Sequence, residues 1–224
     1  MYVQPYFPEL QPTPGNVAAE SYDCRLRFVR RTSWAFFFVS LVPIGLAALG
    51  PVIGSWATHA WISVICLGVL TAFRRWFDYN AVATAFEAAT FLVLLVSLGL
   101  LLRCISPTGD AAVALGFPLA FATLYTAMCG RDHSFLGEFG LAGAGTVAAI
   151  FAIDYLAPRS ASDTGLTIAS AITFLFYYVY DLASLQQRRR PNEWWKAAID
   201  LYRDCLNFLT YGVRVIHHWR NFKI

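Results

Sequence analysis

Two aspartates stand inside the last two hydrophobic runs of the chain, Asp181 in FLFYYVYDLASL and Asp204 in AAIDLYRDCLNFL. A carboxylate in a membrane-crossing helix costs about 2.5–3.5 kcal/mol on insertion scales, so such residues mark a functional site by default. Asp181 lies seven positions before Arg188, and Asp204 lies eight positions after Lys196. At ~1.5 Å of rise per residue, both carboxylates sit roughly 10–12 Å from the basic loop that joins their helices. The two helices are antiparallel, which puts the aspartates at one depth and lets them face each other. Facing carboxylates out of water resist double ionisation and share a proton, and their titration belongs to the pair. That chemistry suits a proton-sensitive latch. The competing reading pairs Asp181 with the Arg188–Arg190 run and neutralises Asp204 with its neighbour Arg203.

Other polar groups extend this constellation. Arg74 and Arg75 close the second apolar segment on the same side, and Arg74 is placed to reach one of the carboxylates. Asp200 is one turn before Asp204 on nearly the same face, either extending the acidic site or sitting at its mouth in water. Glu87 stands about eight residues into the third segment, as part of a polar pathway or as a hydrogen-bonded packing residue. Asn207 follows Asp204 by nearly one turn. Five scattered cysteines show neither CxxC nor Cys/His spacing, so no metal or redox centre is expected from them.

The elements that hold these groups follow from composition. The chain is 58% hydrophobic and 14% charged, against about 25% charged in an ordinary soluble domain. This places it in the polytopic membrane class, and the net charge of +3 makes nucleic acid an unsuitable partner. Seven apolar segments run near 33–53, 55–73, 81–103, 111–129, 136–157, 165–185 and 195–216. Most approach the ~20 residues needed to cross the bilayer. The last is the least apolar, and either spans or re-enters. The expected organisation is a disordered Pro-rich tail over 1–24, an all-α seven-helix bundle over 25–216 and a short basic tail over 217–224. Gly137, Gly140, Ala144 and Ala148 share one face of the fifth span, a spacing that suits close helix packing.

Arginine and lysine concentrate in the N-terminal flank and in alternate loops: Arg74 and Arg75, Arg131, then Arg188, Arg189, Arg190 and Lys196. The other loops carry Arg103 and Arg159. The positive-inside rule therefore puts the N-terminus in the cytoplasm. Arg214, Arg220 and Lys223 conflict with that assignment if the seventh segment spans.

The run VYDLASLQQRRRPNEWWKAAIDLYRDCLNFL resembles the signature of the BAX inhibitor-1 (transmembrane BAX inhibitor motif, or lifeguard) family. Tyr180–Asp181, Ala198, Leu201–Tyr202, Asp204 and Asn207 match it in order and spacing. RLRFVRRTS, FRR and RDHSFLGEFG resemble further family segments. The chain is also similar to the seven-span proteins carried by some large DNA viruses. The resemblance implies a seven-helix bundle with the last helix central, and a pH-sensitive calcium leak that regulates calcium stores and cell death. It also implies an endoplasmic reticulum, Golgi or other endomembrane location. Asp181 and Asp204 would form the pH sensor and touch calcium in transit, with Arg74 as the latch. Arg203 and Asp200 depart from the family pattern. No cofactor is expected beyond calcium as the permeant ion; the partners implied are the lipid bilayer and membrane proteins of cell-death signalling.

The alternative function is a non-conducting membrane adaptor for apoptosis or immune signalling. An intramembrane aspartyl protease fits poorly, because Leu201, Tyr202 and Arg203 stand where such enzymes need small residues. No enzyme activity is expected.

Overall fold

The computed structural model describes residues 13–79 and 81–204. The helices are α1 (Tyr22–Leu49), α2 (Trp56–Ala72), α3 (Arg74–Tyr79), α4 (Ala81–Ile105), α5 (Asp110–Met128), α6 (Phe135–Leu156) and α7 (Ala161–Arg188). An eighth, α8, occupies 194–204, the described part of the last apolar segment. The first six apolar segments coincide with helices, the described part of the seventh lies in α8, and α3 is a short addition between the second and third. The protein is an all-helical, multi-pass membrane bundle. Among the described residues five helices are long and apolar enough to cross a bilayer, and α2 is a shorter apolar helix of 17 residues. The lipid-facing character is visible in their outward side chains, among them Trp61, Ile65, Val82, Leu136 and Leu166, all well exposed.

Helix starts obey ordinary capping rules. Ser55, Ser134 and Ser160 accept hydrogen bonds from the amides of Thr58, Gly137 and Asp163 at 3.2, 2.9 and 3.1 Å. Each satisfies an amide that the first helical turn leaves free. Helix α1 packs on α4 and α5, α2 on α4, and α5, α6 and α7 on one another. The approach of α1 to α4 is close because Gly99 lacks a side chain: a Cβ there would lie 2.7 Å from Leu46 Cβ and 2.8 Å from Pro43 Cα.

Helix α8 is the centre. Every residue from 197 to 204 is buried, charged ones included. A helix buried on all sides is enclosed by its neighbours rather than laid against them. Phe36 of α1 packs against both Tyr178 and Tyr202, with ring centroids 5.6 and 5.0 Å away. Buried hydroxyls add fixed links, Ser40 to Tyr202 at 2.6 Å and Tyr178 to Ser33 at 2.8 Å.

Two expectations differ from what is found. The segment expected as a disordered tail is docked from Thr13 onward. The Thr13 amide donates to Gln187 O at 3.1 Å, the Val17 amide donates to Arg189 O at 3.0 Å, and Val17 is fully buried. The cause is the C-terminal end of α7, whose last carbonyls lack helical partners and take these amides instead. Its proline content did not predict this. The small-residue stripe on α6 packs closely at Gly137, where a Cβ would lie 2.6 Å from the Tyr125 hydroxyl, but turns outward beyond it. Gly140, Ala144 and Ala148 are exposed, and the packed face carries Glu138, Ala142, Gly143, Thr146 and Ile150. Gly145 serves as a contact, with Phe121 2.9 Å from where its Cβ would stand.

Candidate functional site: a buried arginine–carboxylate cluster

Four basic segments meet at one end of the bundle. The Tyr22 hydroxyl donates to Arg131 O at 2.6 Å, and Arg30 donates to Thr126 O at 2.7 Å. These bonds fasten the N-terminal end of α1 to the α5–α6 loop. The Thr13 and Val17 bonds bring in the α7–α8 loop. Arg74, at the α2–α3 junction, reaches Asp200 at 3.2 Å. The alternation of basic loops in the sequence is therefore realised as a single basic end. At the opposite end Arg159 pairs with both Asp110 and Asp154.

Asp181 and Asp204 are brought together, with the Arg188 guanidinium between them. Arg188 Nη2 donates to Asp181 Oδ1 at 2.5 Å and to Ser184 Oγ at 2.6 Å, while Nη1 donates to Asp204 Oδ2. Asp181 and Arg188 are two turns apart on one face of α7, so the arginine folds back along its own helix. Ser184, one turn from Asp181, donates to the same Oδ1 at 3.0 Å. The guanidinium suits this position because its fork offers several donors in fixed directions and stays charged. Asp181 Oδ2 is buried without a hydrogen-bond partner among the described residues.

Asp200 anchors the second half of the cluster and is fully buried. Arg189 Nε donates to its Oδ2 at 2.5 Å, Arg74 approaches the same oxygen, and Arg203 pairs with Oδ1. Arg203 also lies 3.7 Å from Glu87 and donates to Leu70 O at 3.1 Å. The two halves together hold four carboxylates (Asp181, Asp200, Asp204, Glu87) and four guanidinium groups (Arg74, Arg188, Arg189, Arg203). The formal charge of these eight groups cancels. Buried charge is costly unless paired and hydrogen-bonded; every member here is ion-paired, while Asp181 Oδ2, Asp200 Oδ1, Arg188 Nε and Arg203 Nη2 make no hydrogen bond among the described residues.

Several sequence expectations are changed by this geometry. The pair of aspartates is joined by a cation rather than left to share a proton directly. Arg74, expected at the pair, reaches Asp200. Arg203, weighed as the neutraliser of Asp204, turns to Asp200 and Glu87, because residues at i and i+3 on a helix face each other while adjacent ones diverge. Glu87, weighed as a pathway group or a hydrogen-bonded packing residue, lies at the cluster beside Arg203. Asn207 lies outside the described residues. Among the described residues no group of three or more His, Cys, Asp or Glu is placed to hold a metal ion.

Sequence reasoning missed one buried acid. Glu138, in the first turn of α6, is fully buried and lies 3.3 Å from His133 Nε2. Its signal was an acidic residue just after the Ser134 cap, where the helix dipole favours negative charge.

The fold and the cluster define a multi-pass α-helical membrane protein whose last described helix is locked to its neighbours by buried ion pairs. In comparisons with family models, curated proteins and solved structures, nothing matches this chain.

Proposed function

We propose that this protein is a divergent relative of the BAX inhibitor-1 family and acts as a proton-gated calcium leak in an endomembrane, with its N-terminus cytoplasmic. The observation that carries the reading is Arg188 seated between Asp181 and Asp204. In this arrangement the cluster is a closed latch: one guanidinium ties the end of α7 to the central helix α8. Protonation at Asp204 removes the ionic contact that crosses from α7 to α8, whereas the Asp181 contact lies within α7. Helix α8 is then free to shift against α7, and the remaining acidic groups line a route for a cation. Calcium as that cation, and the endomembrane location, rest on the resemblance of the C-terminal run. The grouping of basic segments at one end supports the orientation.

The test is calcium efflux from vesicles loaded with calcium and reconstituted with the purified protein. Efflux should rise as the pH falls from about 8 to about 6, and Asp204→Asn should make it independent of pH. No flux at any pH, or an unchanged pH profile in that variant, would sink the reading.

The charge balance favours a second reading, a non-conducting adaptor. Four carboxylates matched by four arginines leave no surplus negative charge to attract a cation, and the cluster then serves to rigidify a scaffold for membrane partners in apoptosis or immune signalling. A variant without flux that keeps full cellular activity, with a reproducible cross-linked partner, would establish this one instead.

A further inference from the structure

We propose that the groove between α1 and the start of α8 binds one anionic phospholipid. The groove has a volume of about 850 Å³ and is lined by Arg30, Arg31, Trp34, Phe38, Trp194 and Trp195, among others. Its polarity is graded along the membrane normal. Arg30 and Arg31 stand at the basic end of α1. Trp34 follows one turn deeper, and Phe38 is seven residues below Arg31, about 10 Å along the helix. Trp194 and Trp195 form the opposite wall. An occupant must carry negative charge at one end and hydrocarbon at the other.

Among the described residues the cationic end meets no acidic side chain. Arg30 donates to the carbonyls of Thr126 and Gly130, which are neutral. Arg31 is exposed, and neither arginine has a carboxylate partner among the described residues. This contrasts with the buried cluster, where every arginine meets an acid. Guanidinium groups bind phosphate through several donors at once, and anionic headgroups are attracted to such sites at a membrane surface.

The apolar end is equally open. Phe38 is 59% exposed, and Trp34 and Trp195 are 40% and 42% exposed. Trp34 and Phe38 stack at 5.5 Å, giving a flat apolar wall for the upper part of an acyl chain. Tryptophan at headgroup level is the usual residue of the membrane interface. Because Trp194 and Trp195 begin α8, a lipid in this groove touches the helix that the buried cluster latches. The inference is independent of whether the protein conducts calcium.

The experiment is native mass spectrometry of the full chain, released from micelles containing equimolar phosphatidylglycerol and phosphatidylcholine. One retained phosphatidylglycerol, preferred over phosphatidylcholine, is expected. Arg31→Gln should reduce that preference about fivefold, the order expected for one arginine at a membrane surface. Arg131→Gln removes the same charge from an exposed position outside the groove and should leave the preference intact. Equal loss in both variants, or no preference in the unaltered chain, would overturn the proposal. So would retention of inorganic phosphate in place of the lipid. A dimer that Phe38→Ala dissociates, with no lipid retained, would assign the groove to a second copy of the chain and also overturn it.

Discussion

Arg188 and Asp181 are seven residues apart on one helix, yet their side chains meet at 2.5 Å inside the bundle. The same guanidinium holds Asp204 of the next helix. Removing it leaves two buried carboxylates side by side. Arg188→Gln should lower stability by about 3–5 kcal/mol at neutral pH, the usual cost of stripping one partner from a buried ion pair. Protonation relieves the remaining repulsion, so the loss should shrink as the pH falls from about 8 to about 5. Thermal unfolding in detergent across that range measures it. A loss that does not vary with pH would show that the two carboxylates do not sense each other.

Asp200 is the shared acceptor of Arg74, Arg189 and Arg203. Asp200→Asn should therefore destabilise more than Glu87→Gln, whose contact with Arg203 is 3.7 Å long. Asp200→Leu combined with Arg203→Leu should be less harmful than the sum of the single changes, because removing both members avoids an unpaired buried charge. Chemical denaturation of the four proteins gives the coupling directly, and strict additivity would contradict the pairing.

Gly99 predicts a packing cost. Gly99→Ala forces a Cβ into the backbone of α1 at Pro43 and should cost about 1–3 kcal/mol. Gly68 has open space around its Cβ position, so Gly68→Ala should be neutral or stabilising by up to about 1 kcal/mol. The difference in melting temperature between these two variants tests the α1–α4 contact without touching the charged cluster.

Arg159 ties the start of α5 to the end of α6. Its hydrogen bond to Asp154 holds the guanidinium above its ordinary range. A base raised in the folded state contributes fully below its unfolded pKa and loses that contribution only as pH climbs through the folded value. Both values lie far above neutral pH, so the arginine's contribution should be constant between about pH 6 and 9. The pairs are partly exposed, so Arg159→Gln should cost only about 1 kcal/mol. Hydrogen exchange around residues 154–164 should accelerate in the variant by a similar factor at both pH values.

The membrane class, the seven apolar segments and the gathering of basic loops at one end were all legible in the sequence. Each depends on local quantities: the length of an apolar run, the position of a serine cap, the alternation of arginine between loops. That Asp181 and Asp204 would be buried and in need of partners was legible too, because charge in hydrocarbon is costly wherever it occurs. Arg188 as a partner of Asp181 was one of the pairings weighed, but that the same guanidinium holds Asp204 was not legible. Adjacent and helix-spaced residues suggest several pairings, and only the packing of α8 at the centre selects among them. That packing turns Arg203 toward Asp200 and Glu87, gives Arg74 to Asp200, and leaves Arg188 to hold both aspartates. It also decides that Gly140 faces outward and that Thr13 and Val17 cap the end of α7. The sequence determined that buried charges had to exist. The tertiary structure decided how they are matched, because the energy of a buried ion pair depends on distances of a few ångströms between helices that sequence spacing does not contain.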